Sequence, residues 1–324
     1  MSTSRNLPSL LLVTALAAGM IGGAQAAKVG DATGTGASPA YAESVDGFAD
    51  HTIFRPEKWP DGKVPVYLWG NGGCSANGMS HAAYLREIAS HGYLVIALGN
   101  PAAERSGPPA GAGPARGPGA GPRAGGPALP PPPATPPTPA DDPTQVQQHR
   151  DSLQWITRES TRAGGEFAGH VDLARIAVGG HSCGGLQALA VSDDPRIKTT
   201  LVVDSGVYNS RVGTRSGVAI EKSDLKKLHG PVLYLIGGKN DIAYPNAADD
   251  FERINHVPVA FASLPVGHGG TFSQPDGGEW ARVTLAWLDW QLKKNAAAGK
   301  EFSGPQCRLC TDARWEFRQK NLPK

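Results

Sequence analysis

Three residues of this chain have the types and placement for acyl transfer through a nucleophilic hydroxyl. Gly180-His181-Ser182-Cys183-Gly184 is a G-x-S-x-G motif centred on Ser182. Asp241 lies in the loop after the apolar run 232–236, and His268, between two glycines, follows the apolar run 257–264. A serine hydroxyl is a weak nucleophile until a base removes its proton. An imidazole can serve as that base, and a carboxylate can orient it and stabilise the imidazolium that forms. Asp204, after the run 199–203, is an alternative acid, whereas Asp249 and Asp250 fall on a predicted helix and are worse placed. Other histidines lack the placement of His268. His81, His91 and His149 fall on predicted helices, His229 and His256 in turns, and His181 points sideways from the motif.

A serine used in this way must stand on a tight turn between a strand and a helix. Gly180 and Gly184 fit that turn because side chains there would collide. The sequence predicts a strand over 175–179 running in and a helix over 184–191 running out. Further strands are predicted at 64–69, 93–98, 199–203, 232–236 and 257–264. Helices are predicted after a capping Ser80, over 145–162, and over 279–292, where Trp280, Val283, Trp287 and Trp290 recur at helical spacing. Strands apolar on both faces and separated by helices imply a mainly parallel sheet with helices on both faces, an α/β class in one domain. The developing oxyanion needs two backbone N–H donors. Cys183, after the nucleophile, supplies one; Gly73, in the loop Gly70-Asn71-Gly72-Gly73-Cys74, supplies the other. Trp69 and Tyr208, at or after strand ends, are candidates for substrate contact, though core packing explains Trp69 equally well.

The rest of the chain says where this domain works. Of 28 prolines among 324 residues, 15 fall between Pro101 and Pro143. That Gly/Ala/Pro-rich segment cannot bury enough apolar area to offset its ordering entropy, so it reads as a disordered insertion. A lid is the alternative, disfavoured by its lack of apolar residues. A formal net charge of +2 without a Lys/Arg block gives no footprint for nucleic acid or an anionic membrane. Arg5, the apolar stretch 10–21 and Ala24-Gln25-Ala26 read as a secretory signal over 1–26, too short to span a bilayer. The expectation is a secreted or periplasmic domain over 27–324 with its four cysteines paired. Cys307 and Cys310 form a local C-x-x-C bridge in a tail at about 297–324, with no second ligand pair for zinc.

Taken with its flanks, the Ser182 motif and the order serine, acid, histidine resemble the secreted serine esterases of the α/β-hydrolase fold. The pattern is close to that of the dienelactone hydrolase, platelet-activating-factor acetylhydrolase and polyester hydrolase branches. The resemblance covers roughly 54–292 outside the insertion. It departs at Asn71-Gly72-Gly73, where those relatives often carry His-Gly-x, and from dienelactone hydrolase in having serine rather than cysteine as nucleophile. It implies hydrolysis of carboxylic esters, small or polymeric, by Ser182, His268 and Asp241 without a metal or organic cofactor. A peptidase or amidase, an acyltransferase, and a non-catalytic binding protein are the rival readings. If the Gly73 and Cys183 amides face one oxyanion, the sulfurs of Cys74 and Cys183 approach each other. A Cys74–Cys183 disulfide is therefore expected, with two buried thiols as the alternative.

Overall fold

The computed structural model describes residues 26–101, 135–210, 212 and 214–323. Residues 1–25, nearly all of the secretory signal expected over 1–26, and 102–134, the body of the Pro/Gly-rich segment, lie outside the described residues.

Ten strands form one sheet: β1 (Ala26–Thr33), β2 (Ala40–Val45), β3 (His51–Pro56), β4 (Val64–Gly70), β5 (Leu94–Leu98), β6 (Val171–His181), β7 (Ile197–Val203), β8 (Val232–Ile236), β9 (Val259–Ser263) and β10 (Glu316–Lys320). Their order is β1-β2-β3-β5-β4-β6-β7-β8-β9-β10. From β5 to β9 every neighbour is parallel. The first three strands and the last extend this block antiparallel at its two edges. Alternation along each strand splits the core into two faces. Tyr67 and Trp69 pack with α1 (Ala82–Ser90) and α5 (Gly278–Lys293). Val66 and Leu68 pack on the opposite face with α2 (Val146–Glu159) and α3 (Cys183–Val191). Further along that face, Tyr234 and Phe261 pack with α3 and α4 (Tyr244–Arg253). The fold is α/β, a mostly parallel sheet covered on both sides. Among the described residues no helix is long and apolar enough to cross a membrane.

This architecture positions the site by its connections. Strand order reverses direction at β4, which lies between β5 and β6, so the loops leaving β4 and β6 open beside each other at the strands' carboxyl ends. In open α/β sheets that crevice is where ligands bind. Two local expectations need correction. Ser80 does not cap α1: its Oγ donates to Asn77 O at 2.7 Å, and His81 occupies the cap position. Nor is the insertion structureless up to residue 143. Pro139–Asp141 forms a 3-10 turn, in which Thr138 N and Oγ1 donate to Asp141 Oδ2 at 2.7 and 2.8 Å. Asp142 Oδ2 then accepts from Gly217 N at 3.0 Å. Thr144 N donates to Cys74 O at 3.0 Å. The carbonyl of Thr138 fills the space a side chain would need at Gly217. Composition spoke for the whole segment, but its last residues are held by specific polar partners.

Deleting 110–134 is expected to leave the melting temperature within a few degrees. Extending the deletion through Asp142 removes the bonds of Asp142 to Gly217 and Ser216 and should lower it by about 5 °C or more. Thermal unfolding followed by circular dichroism separates the two, and equal effects would contradict the assignment.

Candidate active site

Strand β6 ends at His181 and α3 begins at Cys183. Ser182 stands between them at φ 53° and ψ −117°. A side chain in that backbone region is strained, and neighbouring groups hold it there. Ser182 N donates to Val203 O at 2.9 Å. Ser182 O accepts from Gly185 N at 2.9 Å and from Ser205 Oγ at 2.6 Å. A Cβ at Gly180 would strike the Gly184 carbonyl, and one at Gly184 would strike the Gly70 carbonyl. Strands β4 and β6 and the start of α3 thus meet backbone to backbone, which only glycine allows.

The three residues singled out by their spacing are brought together. Ser182 Oγ lies 3.0 Å from His268 Nε2, and His268 Nδ1 lies 2.6 Å from Asp241 Oδ1. Asp241 Oδ1 also accepts from Ala243 N at 2.8 Å, and its Oδ2 accepts from Gly237 N at 3.2 Å. Burial works to raise the Asp241 carboxyl, but the bond to His268, its charge and the donors from Asp204 and Ala243 outweigh it and hold it below its usual value. The histidine loop is fixed by Gly267 N donating to Gly237 O at 2.7 Å. Asp204, the alternative acid, does not reach His268. It is fully buried, and its Oδ2 accepts from Trp280 Nε1 at 3.0 Å.

Sequence reasoning gave His181 no task, yet its Nε2 donates to His268 O at 2.8 Å and so holds the loop of His268. His81 meets the His181 ring edge-on at 5.1 Å between centroids. Burial, with the charge of His268 next, pushes His181 down to about 4, and burial also pushes His81 well down. Both rings are therefore neutral at neutral pH. No periodicity or motif signals such a role; only the position beside Ser182 hinted at it.

The loop after β4 faces the elbow. Asn71 O accepts from Gly184 N at 3.0 Å and from Cys74 N at 3.1 Å. Its side-chain amide donates to Leu98 O at 2.6 Å and lies 3.1 and 3.2 Å from Ser75 O and Asn77 O. Asn71 is thus the staple of this loop. Gly73 follows at φ 61° with open space on its Cβ side. In the first turn of α3 the amides of Gly184, Gly185 and Leu186 find acceptors in Asn71 and Ser182. The amide of Cys183, first in the helix, shares none of these acceptors and is of the kind that a helix start leaves for a ligand. Disulfides join Cys74 to Cys183, with 5.1 Å between Cα atoms, and Cys307 to Cys310. Cys74, Asp142 and Cys183 are the one group of close potential metal ligands among the described residues. Its sulfurs are bonded to each other, which removes the thiolates a metal would use.

Trp69 is not at the mouth of a pocket. It is wholly buried among Tyr67, His81, Tyr84 and Phe272, because it points to the face covered by α1 and α5. Core packing accounts for it. Tyr208 is half-buried beside the apolar cluster that contains both Cys74 and Cys183, and its OH accepts from Arg215 N at 3.2 Å. The fold and this constellation define an α/β protein with a serine, a histidine and an aspartate linked in a row at the carboxyl end of its sheet. No protein-family model matches the chain, and no curated protein matches it either.

Two outcomes follow from the supports of the site. The Cys74–Cys183 bridge closes a separation of 109 residues. The chain-entropy relation then gives up to about 4–5 kcal/mol. Native protein should show no free thiol, and reductant or Cys74→Ala should lower the melting temperature by about 10 °C. Labelling of Cys74 in the unreduced native protein would contradict the bridge. His181 refuses, between about 6.5 and about 4, a proton that the unfolded chain accepts. Its contribution is therefore intact above pH about 6.5 and lost as pH falls, about 2 kcal/mol by pH 5. His181→Gln keeps a donor toward His268 O without the titration. The stability difference between pH 7 and pH 5, from urea melts, should shrink by about that amount.

Proposed function

We propose that this chain is an exported serine hydrolase of the α/β-hydrolase fold that cleaves carboxylic esters. The observation that carries this reading is the unbroken line from Ser182 Oγ through His268 to Asp241, at 3.0 and 2.6 Å, at the carboxyl ends of parallel strands. His268 Nε2 takes the Ser182 proton as Oγ attacks the ester carbonyl, and Asp241 stabilises the imidazolium. The amides of Cys183 and Gly73 receive the oxyanion. Collapse of the tetrahedral adduct breaks the ester C–O bond, and His268 returns its proton to the leaving alcohol. Water, deprotonated by the same imidazole, then hydrolyses the acyl-enzyme and frees Ser182.

Two further features support the reading. Ile242 and Val266 are exposed apolar residues that adjoin Asp241 in one loop and lead into the Gly267-His268 turn in the other. They suit an ester with an apolar acyl or alcohol portion. Export rests on the composition of the leader and on two disulfides, which persist in oxidising compartments.

The test is a panel of p-nitrophenyl esters of increasing acyl length, run beside a peptide amide panel on residues 27–324. Ester turnover without amide turnover is expected, and the reverse would make the protein a peptidase. Ser182→Ala should lower kcat by roughly 10⁴ to 10⁶ with an unchanged circular dichroism spectrum. More than a tenth of the activity left in that variant would end the proposal.

A further inference from the structure

Behind the triad acid lies a second carboxyl group that the chemistry above does not use. Asp204 follows β7 in left-handed backbone, φ 45°, and is fully buried. Its backbone N donates to Leu235 O at 2.8 Å, which fixes it against the end of β8. Its side chain lies within hydrogen-bonding reach of that of Asp241. Two carboxyl groups can share such a bond only if one of them carries a proton.

The surrounding donors decide which one. Asp241 accepts from His268 Nδ1 at 2.6 Å, Ala243 N at 2.8 Å and Gly237 N at 3.2 Å. Asp204 has Trp280 Nε1 on Oδ2 and shares the Gly237 amide with Asp241, while its Oδ1 makes no hydrogen bond to an N–H or O–H donor of standard geometry among the described residues. Among the described residues no lysine or arginine pairs with Asp204. The nearest basic group is His181, with Nε2 3.8 Å from Oδ2, and that ring is neutral with its N–H committed to His268 O. His81 contacts the His181 ring, and His268 is bonded to Asp241. Asp241 is thus the better solvated of two acids that cannot both ionise in a buried site.

We propose that Asp204 is a positioning residue: it stands as a neutral carboxylic acid and donates its O–H to Asp241, clamping the carboxylate that orients His268. Burial first, and then the charge of Asp241, push its carboxyl well above the usual range, in agreement with this geometry. The clamp joins the ends of β7 and β8 to α5 through Trp280. The catalytic consequence rests on the serine-hydrolase reading, but the protonation state does not.

Two variants and one spectroscopic measurement test it. Asp204→Asn retains a donor for Asp241 and an acceptor for Trp280, and asparagine tolerates left-handed backbone. Asp204→Gly tolerates it too but removes the group. Asp204→Gly should lower kcat roughly 10- to 100-fold, the range a single hydrogen bond to a charged group spans. Asp204→Asn should recover most of that loss and leave the pH midpoint of kcat/KM in place. Equal losses in the two variants would overturn the proposal. So would a midpoint displaced downward by about one unit or more in Asp204→Asn, the mark of a lost negative charge near His268.

Infrared spectra of resting protein with ¹³C-labelled aspartate, at about pH 8, provide a readout free of turnover. Burial also pushes up Asp142 and Asp250, the latter to about 6, so the band is assigned by its loss on substitution of Asp204. A protonated-carboxyl band that disappears in Asp204→Asn is expected. Its absence from the unsubstituted protein sinks the neutral acid whether or not any ester is cleaved. A band of that kind in a protein that turns over no ester would sink the esterase reading alone.

Discussion

The site depends on one steric constraint: the backbones of β4, β6 and α3 occupy the same few ångströms. Gly70, Gly180 and Gly184 touch through their main-chain atoms, and none has room for a Cβ. That contact brings the loop after β4 against the first turn of α3, so Gly184 N can reach Asn71 O. It also turns Ser182 outward, since the chain must reverse between the last residue of β6 and the first of α3. Asn71 and the Cys74–Cys183 bridge then lock two segments that sequence separates by more than 100 residues. Even the return of the Pro-rich segment is pinned here, by Thr144 on Cys74 O and Gln187 on Thr144 O.

Electrostatics behind the serine is equally constrained. Four titratable groups, Asp204, Asp241, His181 and His268, lie in one connected cluster. A water-poor cluster of that kind carries few net charges. Keeping His181 neutral lets it donate to the His268 carbonyl without competing with His268 for Asp241. A protonated Asp204 leaves Asp241 as the single anion, aimed at His268. Two neutral polar groups thus hold the backbone and the carboxylate, and the Asp241–His268 pair is held between them.

Much of this was readable because local physics dictates it. The strand 232–236 and the helix 279–292 follow from apolar runs of the right length and period. The elbow follows from a serine between glycines where a strand runs into a helix, and the rows around Asp241 and His268 from strand ends followed by glycine. The edges were not readable. The strands β1 to β3 and β10 carry His51, Arg55, Glu43, Arg318 and Lys320, whose polarity masks a strand pattern. Arg55 Nε pairs with Glu43 Oε1 at 3.0 Å inside the sheet, a pairing that only the register of β2 and β3 creates. Trp69 was ambiguous because a strand-end aromatic looks the same from sequence whether it faces solvent or the next helix. Asp204 and His181 were invisible as supports because their partners lie 37 and 87 residues away.

Backbone strain points to the same place independently of the side chains. Six non-glycine residues among those described have positive φ, and three of them are Cys74, Ser182 and Asp204. These three follow β4, β6 and β7, which are consecutive neighbours in the sheet. A residue in such a region costs of the order of 1–3 kcal/mol, less for aspartate, which tolerates left-handed backbone. Against a whole-domain stability of about 5–15 kcal/mol, three adjacent strained residues persist only where local bonds over-determine them. Here the bonds are present at each: a disulfide at Cys74, four main-chain and hydroxyl contacts at Ser182, and the Leu235, Trp280 and Asp241 contacts at Asp204. Packing alone would have relaxed these turns toward ordinary backbone. Their retention at three consecutive strand ends means that the position of the atoms they carry, rather than the stability of the sheet, sets the structure of this edge.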